Sequence, residues 1–141
     1  SVVLARELAQ CGVDVIDCSS GGLTEETRAL PVPRGLGFQV PFSERLRNEA
    51  QVKTQAVGMI VDAAQAESIL QRGQADLVAL GREALLDPYW PHHAAAALGV
   101  DPGYERWPLR HGVWLAKRAP GLASARAHEA NAPVIPQPTE K

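Results

Sequence analysis

The chain has 141 residues, of which 45% are hydrophobic and 21% charged, so it is long enough to bury the core of one ordinary domain. Its formal net charge of −2 provides no basic surface for nucleic acid or an anionic membrane, and we expect neither partner. No apolar run approaches the roughly 18 residues that span a bilayer, and no signal peptide opens the sequence, which predicts a cytoplasmic protein. Cys11 and Cys18 lack the spacing of a redox or metal site, so we predict two buried thiols and no metal.

The first predicted elements are a helix and a strand. Apolar residues recur at helical spacing from Val2 to Ala9, and Gly12 stands where a glycine ends a helix. Strand Val13–Cys18 follows, and the polar loop Ser19–Gly22 is expected at its carboxyl end, on the functional face. The sequence opens inside a helical pattern without a cap, which predicts a piece of a longer protein.

A second helix, strand and helix follow a long connection that is rich in proline and glycine. Pro41–Gln51 has the spacing of an amphipathic helix, and Val52–Val57 has the composition of a strand. Gly58 closes that strand, and Ala63–Arg72 predicts a helix that ends at Gly73.

The apolar run Ala75–Leu80 predicts a third strand, and because it is almost continuously apolar we expect burial on both faces. It ends on Gly81 and Arg82, before a helix-like run. A glycine lets the backbone approach a ligand closely, and a guanidinium group can bind two phosphate oxygens. Gly58 ends the preceding strand in the same way. The pattern predicts a phosphate site made by two neighbouring loops, although a glycine turn followed by a solvated arginine would look the same.

The rest of the chain predicts helices followed by a tail. A helix-like run covers residues 84–90, and an alanine-rich helix ends near Leu98. Residues 103–118 are rich in aromatic and basic side chains, after which the composition turns to Ala, Pro, Ser and Glu. We therefore divide the chain into an ordered part, 1–118, which includes a C-terminal arm, and a tail, 119–141, that we expect to be disordered.

The alternation of helices and strands predicts an α/β fold with parallel strands and right-handed crossovers. Three strands leave both edges of a parallel sheet open, so either the native sheet has further strands or the chain assembles with a partner. Phosphate sites formed by the last two strand–helix loops are a recurrent feature of (β/α)8 barrels.

Five motifs, in order and spacing, resemble the C-terminal part of Old Yellow Enzyme family flavoproteins, in the thermophilic-like ene-reductase branch. The motifs are VDVIDCSSGG, GFQVPFSERLR, TQAVGMI, ADLVALGREALLDPYW and YERW. The resemblance covers Val2 to about Trp107. It implies a (β/α)8 TIM barrel that binds FMN, of which this chain would supply strands six to eight with their helices.

The resemblance also implies roles for individual residues. Gly58 and the pair Gly81 and Arg82 match positions that bind the FMN phosphate, in agreement with the two-loop site. Ser19 matches a position beside the ribityl chain, and Gln39 matches one near the flavin. Arg106 of YERW resembles an arginine that reaches across a dimer interface into the neighbouring active site. The ordinary alternatives are a loop serine that caps its own backbone, a loop amide and a surface arginine stacked on a tryptophan.

The implied activity is that of an ene-reductase, which passes hydride from NADPH or NADH through FMN to an activated alkene. The family residues that hold the substrate and donate the proton lie upstream of Ser1, so we expect no catalytic residue in this chain. A small-molecule substrate and a homo-oligomer, dimer or tetramer, are implied as well. Two alternatives remain: another phosphate-binding TIM-barrel enzyme, in which the motifs agree by coincidence, and a fragment that is inactive or requires a partner.

Overall fold

The computed structural model describes residues 1–21 and 35–130, which form helices and a small parallel sheet. In chain order the elements are α1 (Val2–Gln10), β1 (Val15–Cys18), α2 (Val40–Ala50), β2 (Lys53–Ala56), α3 (Ala63–Gln71), β3 (Leu77–Val78), α4 (Arg82–Leu86), α5 (Trp90–Ala97) and α6 (Leu109–Ala130). The chain divides into a unit that comprises Ser1–Leu98 and a second unit that begins at Gly99. The predicted α/β alternation with parallel strands is confirmed. Most of the connection predicted before α2 lies outside the described residues.

The sheet has the strand order β1-β2-β3, and its two faces have different surroundings. Helix α2 packs on β1 and β2, and α3 packs on β3. The row facing these helices is Cys18, Ala56 and Val78, and the neighbouring row on the opposite face is Asp17, Gln55 and Leu77. Because side chains alternate along a strand, the helices cover only the first of these rows. On the opposite face Gln55 Nε2 donates to Asp17 Oδ1 at 2.9 Å.

The core lies between the sheet and the helices α2, α3 and α5. Its buried members are Val40, Ala56, Ile60, Ala66, Ile69 and Ala75, with Val78, Leu80 and Trp90 packed against them. The indole N–H of Trp90 donates to the Val61 carbonyl at 3.1 Å, so the aromatic ring is buried without leaving its polar atom unsatisfied. Three of the six buried members are alanines, whose small side chains allow a close approach of helix and strand backbones.

Strand β3 differs from its prediction in length and in burial. The ladder covers Leu77–Val78 rather than Ala75–Leu80, although Asp76 and Ala79 each donate a backbone hydrogen bond to β2. Val78 and Leu80 contact the core, whereas Leu77 is 47% exposed. The expected burial on both faces is therefore wrong for the described residues, because none of them covers the face that carries Leu77.

Two glycines located the carboxyl ends of α1 and α3 correctly. Gly12 follows α1 with φ = +91°, and Gly73 follows α3 with φ = +67°, a backbone region that favours glycine. The side chain of Asp62 caps α3 by accepting a hydrogen bond from the Gln65 amide at 2.8 Å. Of the two thiols predicted to be buried, Cys18 is buried and Cys11 is exposed, because Cys11 lies at the outer end of α1.

One aspartate ties the amino-terminal ends of β2 and β3 to helix α2. Asp76 Oδ2 accepts a hydrogen bond from the Thr54 amide at 2.9 Å, and the Asp76 amide donates to the Thr54 carbonyl at 2.9 Å. Asp76 Oδ1 accepts from Arg47 Nε at 3.1 Å, and Arg47 Nη1 donates to the Gly73 carbonyl at 3.2 Å. These contacts fix the register of the two strands at the edge opposite to their carboxyl ends.

The second unit contains the long helix α6, which continues through Pro120 to Ala130. This differs from the loss of regular structure that the composition predicted from about Pro120, and the remainder of that tail, residues 131–141, lies outside the described residues. Gly112 is buried where a Cβ would lie 2.5 Å from the Tyr104 carbonyl oxygen. No helix in the described part of the chain is long and apolar enough to span a bilayer.

The junction between α4 and α5 provides a prediction about pH. His93 Nδ1 lies 2.6 Å from Asp87 Oδ2, and the Tyr89 amide donates to Asp87 Oδ1 at 3.0 Å. The bond to His93, followed by the bond from Tyr89, lowers the pKa of Asp87 below its usual value. A carboxyl group whose pKa is lower in the folded than in the unfolded chain stabilises the fold at pH values above its unfolded pKa, about 3.9 for aspartate. This stabilisation is lost as the pH falls through the lower pKa of the folded chain.

We therefore expect that Asp87→Asn reduces the acid sensitivity of the chain. Urea unfolding at several pH values between about 2.5 and 6 should show the unfolding free energy of the original chain falling more steeply toward acid than that of the variant. Parallel curves for the two chains would contradict a role for the Asp87–His93 pair.

Candidate functional site

Three loops meet at the carboxyl edge of the sheet. Ser19 directly follows β1, Gly58 lies two residues after β2, and Gly81 lies three residues after β3. The Ala79 amide donates to the Ala56 carbonyl at 2.8 Å, so the pairing of β2 and β3 continues toward these loops. Because the strands are parallel and in register, all three loops lie on the same edge. This is the edge at which the sequence predicted the site.

The loop after β2 has a conformation that requires glycine. Gly58 has φ = +112°, and a Cβ there would lie 2.8 Å from Phe38 Cε1 and 2.9 Å from Gln39 Nε2. Both distances are shorter than real Cβ contacts, so the neighbours of Gly58 leave no space for a side chain. Met59 follows with φ = +54°, unusual for a residue with a side chain. The packing of this chain therefore already requires a glycine at position 58.

Gly81 and Arg82 have different surroundings. Apart from Gly81 itself and its two chain neighbours, no described residue has a heavy atom within 4 Å of the position that a Cβ on Gly81 would take, so the space beside this glycine is open. Arg82 begins the five-residue helix α4, and its side chain is exposed. Arg82 Nη2 lies 3.8 Å from Met59 Sδ, which brings the loops after β2 and β3 together. A thioether is a weak acceptor, so the guanidinium group retains donors for an anion.

Gln39 is buried beneath the loops, with only 6% of its surface exposed. Its Oε1 accepts hydrogen bonds from the Ser20 amide and, at 2.9 Å, from Ser20 Oγ. Its Nε2 donates to the Val57 carbonyl at 3.4 Å. Ser19, one residue earlier, is exposed at the end of β1. The structure thus places Ser19 at the site edge and Gln39 in contact with two of its loops.

The thiol of Cys18 adjoins this edge. Burial raises the pKa of the Cys18 thiol, and the neighbouring Asp17 carboxylate raises it further. A raised pKa keeps the thiol protonated near neutral pH, so Cys18 acts as a small apolar side chain rather than as a nucleophile.

Arg106 belongs to the second unit. The carboxylate of Asp101, which is 4% exposed, accepts hydrogen bonds from the Glu105 amide at 2.8 Å and the Arg106 amide at 3.2 Å. The rings of Tyr104 and Trp107 meet edge to face, with 6.5 Å between their centroids. These contacts hold the backbone of the YERW turn and leave the Arg106 side chain exposed.

Sequence reasoning missed three residues at or near these features: Ser20, Met59 and Asp101. Nothing in the sequence distinguishes Ser20 from Ser19, and the neighbour of Met59 across the sheet edge is a tertiary contact. Asp101 was recognisable, because Asp-Pro-Gly is a turn signal in which the aspartate binds backbone amides that follow it.

Comparisons with known proteins show which family this chain resembles. The sequence model of the NADH:flavin oxidoreductase / NADH oxidase family matches residues 2–100. An NADPH dehydrogenase of Halalkalibacterium halodurans is 46% identical over 99 residues, which cover 70% of this chain and 28% of the relative. NADPH dehydrogenases of Geobacillus sp. (strain WCH70) and Bacillus subtilis (strain 168) are 48% and 45% identical over 100 and 98 residues, again 28% of each relative. The chain spans just over a quarter of the length of the curated relatives it matches.

Proposed function

Because the chain belongs to the NADH:flavin oxidoreductase / NADH oxidase family, we propose that it supplies the phosphate-binding part of an FMN-dependent oxidoreductase. Gly58, Gly81 and Arg82 bind the FMN phosphate, and Ser19 lies beside the ribityl chain. When FMN is bound, it supplies hydride transfer from NADPH or NADH to an activated alkene such as an enone. The residues of this chain orient the cofactor by its phosphate end.

The observation that carries this proposal is the contact between the two loops. Arg82 Nη2 lies 3.8 Å from Met59 Sδ, so the guanidinium group contacts the side chain that follows Gly58. The open space at Gly81 suits a phosphate group, which needs close backbone approach. The Ala84 amide donates to the Gly81 carbonyl at 3.1 Å at the start of α4. The Arg82 amide lies before this bond, in the first turn, where amides have no acceptor within the helix. Since α4 has only five residues, we assign most of the binding to the Arg82 side chain.

We further propose that β1, β2 and β3 are strands six to eight of a (β/α)8 barrel. Two features support this: the strands are adjacent in chain order, and the described helices that pack on them cover one face. The face that carries Asp17 and Leu77 would then line the barrel interior. Arg106 would act at a neighbouring subunit of a homo-oligomer, and its exposed side chain on a firmly held turn suits that role.

The phosphate site is tested by titrating the 141-residue chain with FMN and with riboflavin, which lacks the phosphate, while flavin fluorescence is followed. Arg82→Ala is expected to weaken FMN binding about tenfold to a hundredfold, because a hydrogen bond to a charged group contributes about 1.5–3 kcal/mol. Riboflavin binding should not change. Arg72→Ala, which removes an exposed arginine from the other end of the sheet, is the matched control and should change neither affinity.

Three results would contradict the proposal: equal losses of FMN and riboflavin affinity in Arg82→Ala, no change in either, or no flavin binding by a cooperatively folded chain. NADPH-dependent reduction of an enone is expected only when the other strands of the barrel are supplied, since we assign no catalytic residue to this chain. Turnover by the 141-residue chain alone would contradict that assignment.

A further inference from the structure

We propose that Gln39 is the positioning residue of the phosphate site, and that its buried carboxamide sets the distance between the loops after β1 and β2. This inference rests on the proposed function. Gln39 is 6% exposed, so it acts through the backbone it holds rather than by touching the cofactor. The residues that it holds are Ser20 on one side and Val57 on the other.

The chemistry of the contacts requires an amide. One end of the Gln39 side chain accepts from the amide and the hydroxyl of Ser20, and the other end donates to the Val57 carbonyl. A carboxylate would turn an acceptor toward the Val57 carbonyl, and an apolar side chain would satisfy neither partner. A buried polar group that loses its partner costs more than the bond contributed, so both loops depend on this one side chain.

The same side chain forms the support beneath Gly58. A Cβ on Gly58 would lie 2.9 Å from Gln39 Nε2 and 3.2 Å from Gln39 Cγ, so backbone and side chain are in close contact. The left-handed conformation of Gly58, with φ = +112°, lets its backbone lie that close. A shift of Gln39 must therefore move the Gly58 backbone.

The residue after Gly58 connects the Gly58 backbone to Arg82. The Met59 carbonyl accepts hydrogen bonds from the Gly37 amide at 3.1 Å and from Gln65 Nε2 at 2.9 Å, which fixes the far side of the loop. Met59 Sδ contacts Arg82 Nη2 at 3.8 Å. A continuous series of contacts thus runs from Ser20 through Gln39 and the Gly58–Met59 loop to Arg82, the residue proposed to bind the phosphate. A phosphate group needs donors from two loops at a set separation, which this series provides.

The experiment compares Gln39→Leu and Gln39→Glu with the unchanged chain by FMN and riboflavin titration. Each variant's folded fraction is measured by circular dichroism without flavin. We expect both variants to weaken FMN binding about tenfold more than riboflavin binding after correction for the folded fraction. Ser20→Ala removes the hydroxyl but keeps the hydrogen bond from the Ser20 amide to Gln39. It should weaken FMN binding about threefold more than riboflavin binding. If Gln39→Leu does not fold, Ser20→Ala tests the inference in its place.

Asp76→Ala is the matched control, because it weakens the fold at the opposite edge of the sheet. It should leave the ratio of the FMN and riboflavin affinities unchanged. The inference would be overturned if the Gln39 variants also kept this ratio while Arg82→Ala changed it. If Arg82→Ala left the ratio unchanged too, the proposed function itself would fail. Non-additive losses in the double variant Gln39→Leu/Arg82→Ala would support the series of contacts, and additive losses would contradict it.

Discussion

Gly58→Ala is expected to lower the free energy of unfolding by about 3 kcal/mol, because it combines backbone strain with a steric clash. The residue has φ = +112°, and the new Cβ would lie 2.8 Å from Phe38 Cε1 and 2.9 Å from Gln39 Nε2. Urea unfolding followed by far-UV circular dichroism measures the change. FMN binding should be lost with it, since the loop must move.

Gly81→Ala is the control for this prediction, because Gly81 has neither the positive φ nor the close neighbours of Gly58. Its φ is −98°, and no described residue other than its two chain neighbours lies within 4 Å of the added Cβ. We expect the free energy of unfolding to change by about 1 kcal/mol or less, while FMN affinity falls about tenfold because the Cβ enters the proposed phosphate space. Equal destabilisation by the two substitutions would contradict the distinction between a glycine required by packing and one required by a ligand.

Asp76→Ala is expected to lower the free energy of unfolding by about 3 kcal/mol, because it removes acceptors from two groups at once. The Thr54 amide and Arg47 Nε both donate to this carboxylate, at 2.9 and 3.1 Å. A donor left unsatisfied costs about 1–3 kcal/mol, and the buried strand amide should account for most of the loss. The measurement is again urea unfolding of the 141-residue chain.

Arg47→Met separates the two contributions of Asp76. The Arg47 and Asp76 side chains are 36% and 26% exposed, so solvent screens their ion pair, and we expect a loss of about 1 kcal/mol or less from the pair. Asp76 would still accept from the Thr54 amide in this variant. A loss as large as that of Asp76→Ala would show that the contacts of Arg47, to Asp76 and to the Gly73 carbonyl, stabilise the fold as much as the contacts of Asp76 do.

The family and the element order could be predicted from the sequence because each depends on local patterns. Gly12 and Gly73 marked the helix ends, and five ordered motifs identified the family that the match over residues 2–100 confirms. The location of Gly58 and Gly81 at adjacent strand ends followed from strand–glycine–helix periodicity alone. The specific roles proposed for Ser19 and Arg106 remain predictions.

The partners of individual side chains could not be predicted, because they come from residues distant in sequence. Gln39 reaches Ser20 and Val57, each about 18 or 19 positions away, and no periodicity indicates such a contact. Leu77 belongs to the apolar run Ala75–Leu80, whose composition predicted burial on both faces of the sheet. It is nevertheless 47% exposed, because burial depends on which elements cover each face.

The two glycines of the site show how far their roles could be predicted from the sequence. In the sequence Gly58 and Gly81 have the same context, the end of a predicted strand before a helix, and the same ligand role was predicted for both. The tertiary structure separates them, since Phe38 and Gln39 pack against Gly58 while the space beside Gly81 is open. Chain order sets where a loop occurs because backbone preferences are local, whereas the space around that loop depends on side chains that only folding brings together.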